Sequence, residues 1–155
     1  MQNTSLCYIE KDGKYLMLHR IKKQNDVNHD KWIGVGGKFN EGESPEECAR
    51  REIFEETGLT VKKLNYRAVV TFDCPPYETD YMHLFTATEF EGQLKECDEG
   101  RLEWVEKSKL NELELWEGDY VFFDLLNKEE PFFSLKLSYR NSILTEVYLN
   151  GEKIR

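Results

Sequence analysis

Residues 37–59 read GKFNEGESPEECARREIFEETGL, and the middle of that stretch spells a helix with both ends marked. Ser44 is an N-cap residue, Pro45 stands at the first helical position, and Glu47, three residues after Ser44, completes a capping box. Gly58 suits the left-handed position that closes a helix, so the helix is expected to run to Thr57. At about 100° per residue, Glu52, Glu55 and Glu56 fall within one arc of about 100° on its surface. Glu52 and Glu56 are like-charged i,i+4 neighbours, a pairing that costs ~0.2–0.5 kcal/mol. All three sit in the C-terminal half, where the helix dipole disfavours each negative charge by ~0.3–1 kcal/mol. A solvated acidic face is the plain alternative, and the surrounding sequence decides between the two.

Upstream, Ser5 to Glu10 and Tyr15 to Arg20 read as strands joined at the Asp12-Gly13 turn. The polar stretch Ile21 to Lys31 is a loop, and Trp32 to Lys38 is a strand end punctuated by glycines. Downstream, Val61 to Phe72, Tyr81 to Phe90 and Leu102 to Val105 read as strands, and Trp116 to Asn127 as a second helix. Phe132 to Tyr139 and Ile143 to Leu149 alternate apolar and polar residues across Arg140-Asn141-Ser142, a closing hairpin. Strands before, between and after two helices predict an α+β fold, a mixed β-sheet sandwiched between helices. No repeat, linker or low-complexity segment divides the chain, so residues 1–155 are expected to form one domain.

Composition narrows the function. The 155 residues carry 21 Lys+Arg against 30 Asp+Glu, a net charge of −9. An acidic surface repels polynucleotide backbones and anionic membranes, which disfavours both as partners. A small anionic substrate remains compatible, provided a divalent cation accompanies it. With 3 Trp, 8 Tyr and 9 Phe the chain is not of disordered composition. Cys7, Cys48, Cys74 and Cys97 form no C-x-x-C pair and read as free thiols. Met-Gln-Asn-Thr-Ser at the N-terminus has neither a basic nor an apolar leader region, and no apolar run approaches the ~20 residues of a membrane span. A cytoplasmic protein is the expectation.

Residues 37–59 match G-x5-E-x7-R-E-U-x-E-E-x-G-U, with U apolar, at every defined position. Seven identities and two apolar positions recur by chance on the order of once in 10⁷ such chains. The stretch resembles the signature of the Nudix hydrolases, which cleave nucleoside diphosphates linked to another moiety. The resemblance implies a Nudix fold, Mg²⁺ or alternatively Mn²⁺ as cofactor, and Glu52, Glu55 and Glu56 as metal ligands, with Glu52 the first choice of general base. Hard carboxylates clustered on one face agree with such a cation, which takes oxygen ligands and would relieve their repulsion. Similar enzymes add a backbone carbonyl, which Gly36 matches; Gly36 and Gly37 let the backbone approach metal and phosphate. Arg51 and Glu43 look like a supporting ion pair, with a plain surface charge the other reading of Arg51.

The likeness reaches beyond this box. Trp32 to Lys38, Asp98-Glu99 and Trp116-Glu117-Gly118-Asp119 look like the MutT-type 8-oxo-dGTP diphosphatases, most of all the bacterial MutX type. That resemblance implies Glu99 as a further metal contact, with Asp98 the fallback, Trp116 as the aromatic that stacks on the purine, and Asp119 as the acid facing the base edge. Lys23, Gly37 and Lys38 would lie near the phosphates, and Phe72 and Tyr81 would line the pocket, unless these strand aromatics belong to the core. Ile33 departs from the mammalian pattern, where a polar side chain bonds the base, and Gly118 replaces a second acid. The implied reaction converts 8-oxo-dGTP to nucleoside monophosphate and pyrophosphate, in a monomer or homodimer that binds no nucleic acid polymer. Other nucleoside triphosphates, ADP-ribose, an RNA 5′-triphosphate end, or a sensor that binds without cleaving are the alternatives.

Overall fold

The computed structural model describes residues 1–22 and 24–155; Lys23, expected beside the phosphates, lies outside the described residues. In chain order the elements are β1 (Gln2–Lys11), β2 (Lys14–His19), β3 (Trp32–Ile33), β4 (Val35–Lys38), α1 (Pro45–Thr57), β5 (Thr60–Asp73), β6 (Asp80–Glu91), β7 (Arg101–Glu106), α2 (Asp119–Asn127), β8 (Phe133–Arg140), β9 (Ile143–Leu149) and β10 (Glu152–Lys153). A short 3₁₀ turn at Lys107–Glu112 precedes α2.

The pivot of the sheet is β1. Along one edge it pairs parallel to β6; along the other, Thr4 to Cys7 pair with β4 and Glu10 and Lys11 pair with β2. Beyond β6 the order runs β5, β8, β9, β10, with β5 parallel to β8, while β2 carries β3 and β7 on its two edges. The sheet is therefore mixed, as expected. The β1–β2 hairpin turns at Asp12 (φ 52°) and Gly13 (φ 75°), the left-handed pair a two-residue turn requires.

Two cores explain why the middle of β1, Leu6 to Ile9, is apolar without a break. Cys7 and Ile9 face Ala49 and Ile53 of α1, in a cluster with Leu16, Val35 and Phe85. Tyr8 faces the opposite way, towards Phe122 and Phe123 of α2. A strand covered on both faces has no side to leave polar. The capping box at Ser44 and Glu47 is formed in both directions, and Gly58 closes α1 at φ 81°.

The second helix begins later than the sequence predicts. Trp116 precedes it in an irregular segment and Glu117-Gly118 form a turn. The Gly118 amide donates to the Tyr139 hydroxyl at 2.8 Å, a tertiary bond that starts α2 at Asp119 and leaves Trp116 outside it.

Candidate active site

The signature helix α1 lies against β4, so its carboxylates meet the glycines of that strand. Glu56 is buried (7% exposed) and accepts the Gly36 amide at 2.9 Å. Burial foremost, and then the hydrogen bonding and like charge of the neighbouring Glu99 carboxyl, push its pKa far above the usual carboxylate range. Burial also raises Glu52, against the pull of the Arg51 guanidinium. The two glycines sit at close approaches of different kinds. A Cβ on Gly36 would lie 1.9 Å from the Ser5 carbonyl oxygen, and one on Gly37 would lie 2.5 Å from the Glu52 carboxyl carbon.

Arg51 gathers the loop and the helix. Its Nε and Nη2 donate to the two oxygens of Glu43 at 2.6 and 2.9 Å, and Nη2 also donates to the Lys38 carbonyl at 3.0 Å. Its Nη1 reaches Glu52 at 2.8 Å and Glu55 at 3.2 Å. These bonds, with the Asn40 amide, hold the Glu43 carboxyl at about 2. Glu55 therefore stands apart from the cluster expected of it: its side chain is 57% exposed and turned to Arg51. Among the described residues no group of three acidic, imidazole or thiol side chains is drawn close enough to grip a metal ion unaided. Arg51 engages Glu52 and Glu55, while Glu56 is coupled to Glu99.

A cavity of about 410 Å³ opens on this cluster. Its lining includes Gly36, Gly37, Lys38, Glu52 and Glu99, and also Trp116, Asp119, Phe72, Met82 and Ile33. Glu99 faces it while Asp98 is exposed. Tyr81 is not among the lining residues; strand alternation sends it to the opposite face from Asp80 and Met82, which are. The Trp116 indole donates to Asn28 Oδ1 at 2.8 Å, meets Phe72 and Tyr139 edge-to-face at 5.0 and 5.1 Å, and has the Lys31 ammonium over its ring at 4.8 Å. Asp119 is 6% exposed, and burial lifts its carboxyl to about 8 against the pull of Lys31.

The model of the NUDIX domain family matches residues 2–126. The chain belongs to this family. Its relatives place it among the MutT-type Nudix hydrolases. Over 112 residues, 71% of this chain and 71% of that protein, it is 37% identical to the oxidized purine nucleoside triphosphate hydrolase of Danio rerio. It is 35% identical over 115 residues to the ADP-ribose pyrophosphatase of Bacillus subtilis, covering 72% of this chain and 60% of that one. The crystal structure of the mutator MutT protein from Bacillus halodurans superposes with a TM-score of 0.85 at 27% identity, over 98% of this chain and 99% of the other.

Around the Nudix helix the structure also assembles residues that no sequence motif marks. Arg20, only slightly exposed, bonds Asp26 at 2.7 Å and Glu99 at 2.9 Å. It thereby ties the loop that carries Asn28, the partner of the Trp116 indole, to the acid nearest Glu56. The one sequence signal available is an arginine directly after β2, whose middle is apolar. Thr4, Tyr8 and Asp80 also line the cavity, brought there by the parallel pairing of β1 with β6.

Proposed function

We propose that this Nudix hydrolase converts oxidised purine nucleoside triphosphates, 8-oxo-dGTP foremost, to the nucleoside monophosphate and pyrophosphate, cleansing the cytoplasmic nucleotide pool, with residues 1–155 acting as one domain. The observation that carries this reading is the continuity of the cavity. An aromatic and acidic pocket at Trp116 and Asp119 opens into a part lined by glycine backbone and carboxylates, as a purine joined to a phosphate chain requires.

The carboxylates fit a hard divalent cation. Two acids forced together in a partly buried place need either a proton or a cation between them, and Glu56 and Glu99 meet in this way. Glu52, Glu56, Glu99 and the Gly36 carbonyl would hold Mg²⁺, or Mn²⁺ in its place, with Glu55 an outlying acid. Bound there, the cation supplies charge neutralisation for the phosphate oxygens and lowers the pKa of water. Gly37 and Lys38 would meet the phosphates, Lys38 by its ammonium and Gly37 by admitting them close to the backbone. Glu52, half-buried with its pKa raised, is the group suited to take a proton from the attacking water. Arg51 and Glu43 position that carboxylate and touch no substrate. Trp116 and Phe72 provide the apolar surfaces for the purine, with stacking on an indole contributing ~1–3 kcal/mol.

A substrate panel tests this directly. With Mg²⁺ the protein is expected to show its highest kcat/KM for 8-oxo-dGTP among 8-oxo-dGTP, dGTP, dATP, ADP-ribose and triphosphorylated RNA, and to lose turnover in EDTA. Full activity in EDTA, or a preference for ADP-ribose or RNA, overturns it.

A further inference from the structure

Two tyrosine hydroxyls are buried near Asp119, and among the described residues only that of Tyr139 is held in a formed hydrogen bond. Tyr139 accepts the Gly118 amide at 2.8 Å. Among the described residues the Tyr8 hydroxyl finds no acceptor, and the Gly34 backbone amide beside it is itself a donor, so the hydroxyl proton is unused. Its ring is wedged among Tyr15, Phe122 and Phe123 at centroid distances of 5.5, 5.8 and 4.9 Å. The side chain is fully buried, and the residue is among those lining the cavity, with Ile33, Gly34 and Asp119. The charge of Asp119 acts on the hydroxyl without a bond between them, and burial keeps the phenol neutral and so a donor. A buried hydroxyl left unpaired is destabilising, and such groups are rare in folded proteins. Phenylalanine would fill the same space among the rings without that cost.

We propose that Tyr8 is a specificity-determining residue of the pocket: its hydroxyl donates to a carbonyl oxygen of the purine while Asp119 engages the adjacent ring N–H. The pair reads an N–H/C=O edge, and with Ile33 apolar it offers the polar contact that position 33 does not. Guanine carries one such edge, 8-oxoguanine carries two, and adenine carries none. An adenine presented to the pair leaves the hydroxyl as unpaired as it is in the free protein, so selectivity follows from the bond gained.

The inference rests on the purine reading of the site, and one set of measurements separates the two. Values of kcat/KM for 8-oxo-dGTP, dGTP and dATP are compared between the wild type and Tyr8→Phe, alongside metal-free thermal melts. The variant is expected to lose about ten-fold on 8-oxo-dGTP and dGTP, chiefly in KM, with dATP unchanged, so that the ratio to dATP falls by the same factor. Its melting temperature is expected to hold or rise. An equal fractional change for all three nucleotides overturns the proposal, as does a lowered melting temperature or a variant that does not fold, since the hydroxyl would then be structural. Wild-type protein that cleaves no purine triphosphate defeats the purine reading itself; wild-type cleavage with an unchanged ratio defeats only the role of Tyr8.

Discussion

Glu56 shows how one residue separates stability from function. Its carboxyl is buried beside Glu99 and carries a raised pKa, so the folded protein binds a proton there that the unfolded chain releases. A raised carboxyl contributes full stability below its unfolded value near 4.5 and loses it as pH rises towards the folded value. Glu56→Gln removes that titration and keeps an oxygen for the Gly36 amide. The variant is expected to melt at or above the wild-type temperature in EDTA at pH 7.5, while turnover falls at least about a hundred-fold for want of a metal-binding charge. Calorimetry with a parallel pyrophosphate assay checks both halves. Turnover close to wild type, or an unfolded variant, would remove Glu56 from the centre of the site.

At the scale of elements, the site depends on how closely β4 lies between β1 and α1. Gly36 abuts the backbone of β1 and Gly37 abuts a side chain of α1, so equal substitutions have unequal consequences. Gly36→Ala drives a methyl group into the Ser5 carbonyl. Backbone cannot move aside there without separating β4 from β1, so the expected cost is about 2 kcal/mol or more, with a lowered melting temperature. Gly37→Ala meets only the flexible end of Glu52. That side chain can rotate, so the melting temperature is expected to stay within about 3 °C while kcat falls at least about ten-fold. Melts and kcat for the pair check the contrast. If the losses fell in the opposite order, the strand would not be seated as described.

For the whole molecule the buried acids set how stability responds to pH. Burial lifts the Asp119 carboxyl to about 8, far above its ordinary value of 3.8. The folded state therefore holds a proton across that window, and stability falls as pH rises through it. Glu56 acts in the same direction. Glu43, held at about 2 by Arg51, acts oppositely: its contribution is present above its unfolded pKa and fades as the medium approaches pH 2. The metal-free protein is expected to melt highest near pH 5 and several degrees lower at pH 8, with Asp119→Asn flattening that decline. Parallel melting curves for wild type and variant from pH 5 to 8 would show that Asp119 is not the titrating group.

How much of this was legible in the amino-acid order follows range by range. The ends of α1, the Asp12-Gly13 turn, the closing hairpin and the Nudix signature all depend on residues within a few positions of one another, where capping chemistry and turn dihedrals act. They determined the family and the acids of the helix. Tertiary structure alone decided which acids stand together. Glu55 turns out to Arg51, Glu56 turns in to Glu99, and Arg20 joins Glu99 to the loop that holds Trp116. It also decided that α2 starts at Asp119, and that Tyr8 reaches the base pocket unpaired while Tyr81 does not reach it. Apart from the i,i+4 contact of Arg51 with Glu55, these outcomes join residues about twenty or more positions apart, brought together by the sheet pairing and the seating of α1 on β4. Local propensity carries no information about such pairings, because the energy that selects them appears only when both faces of the sheet are covered.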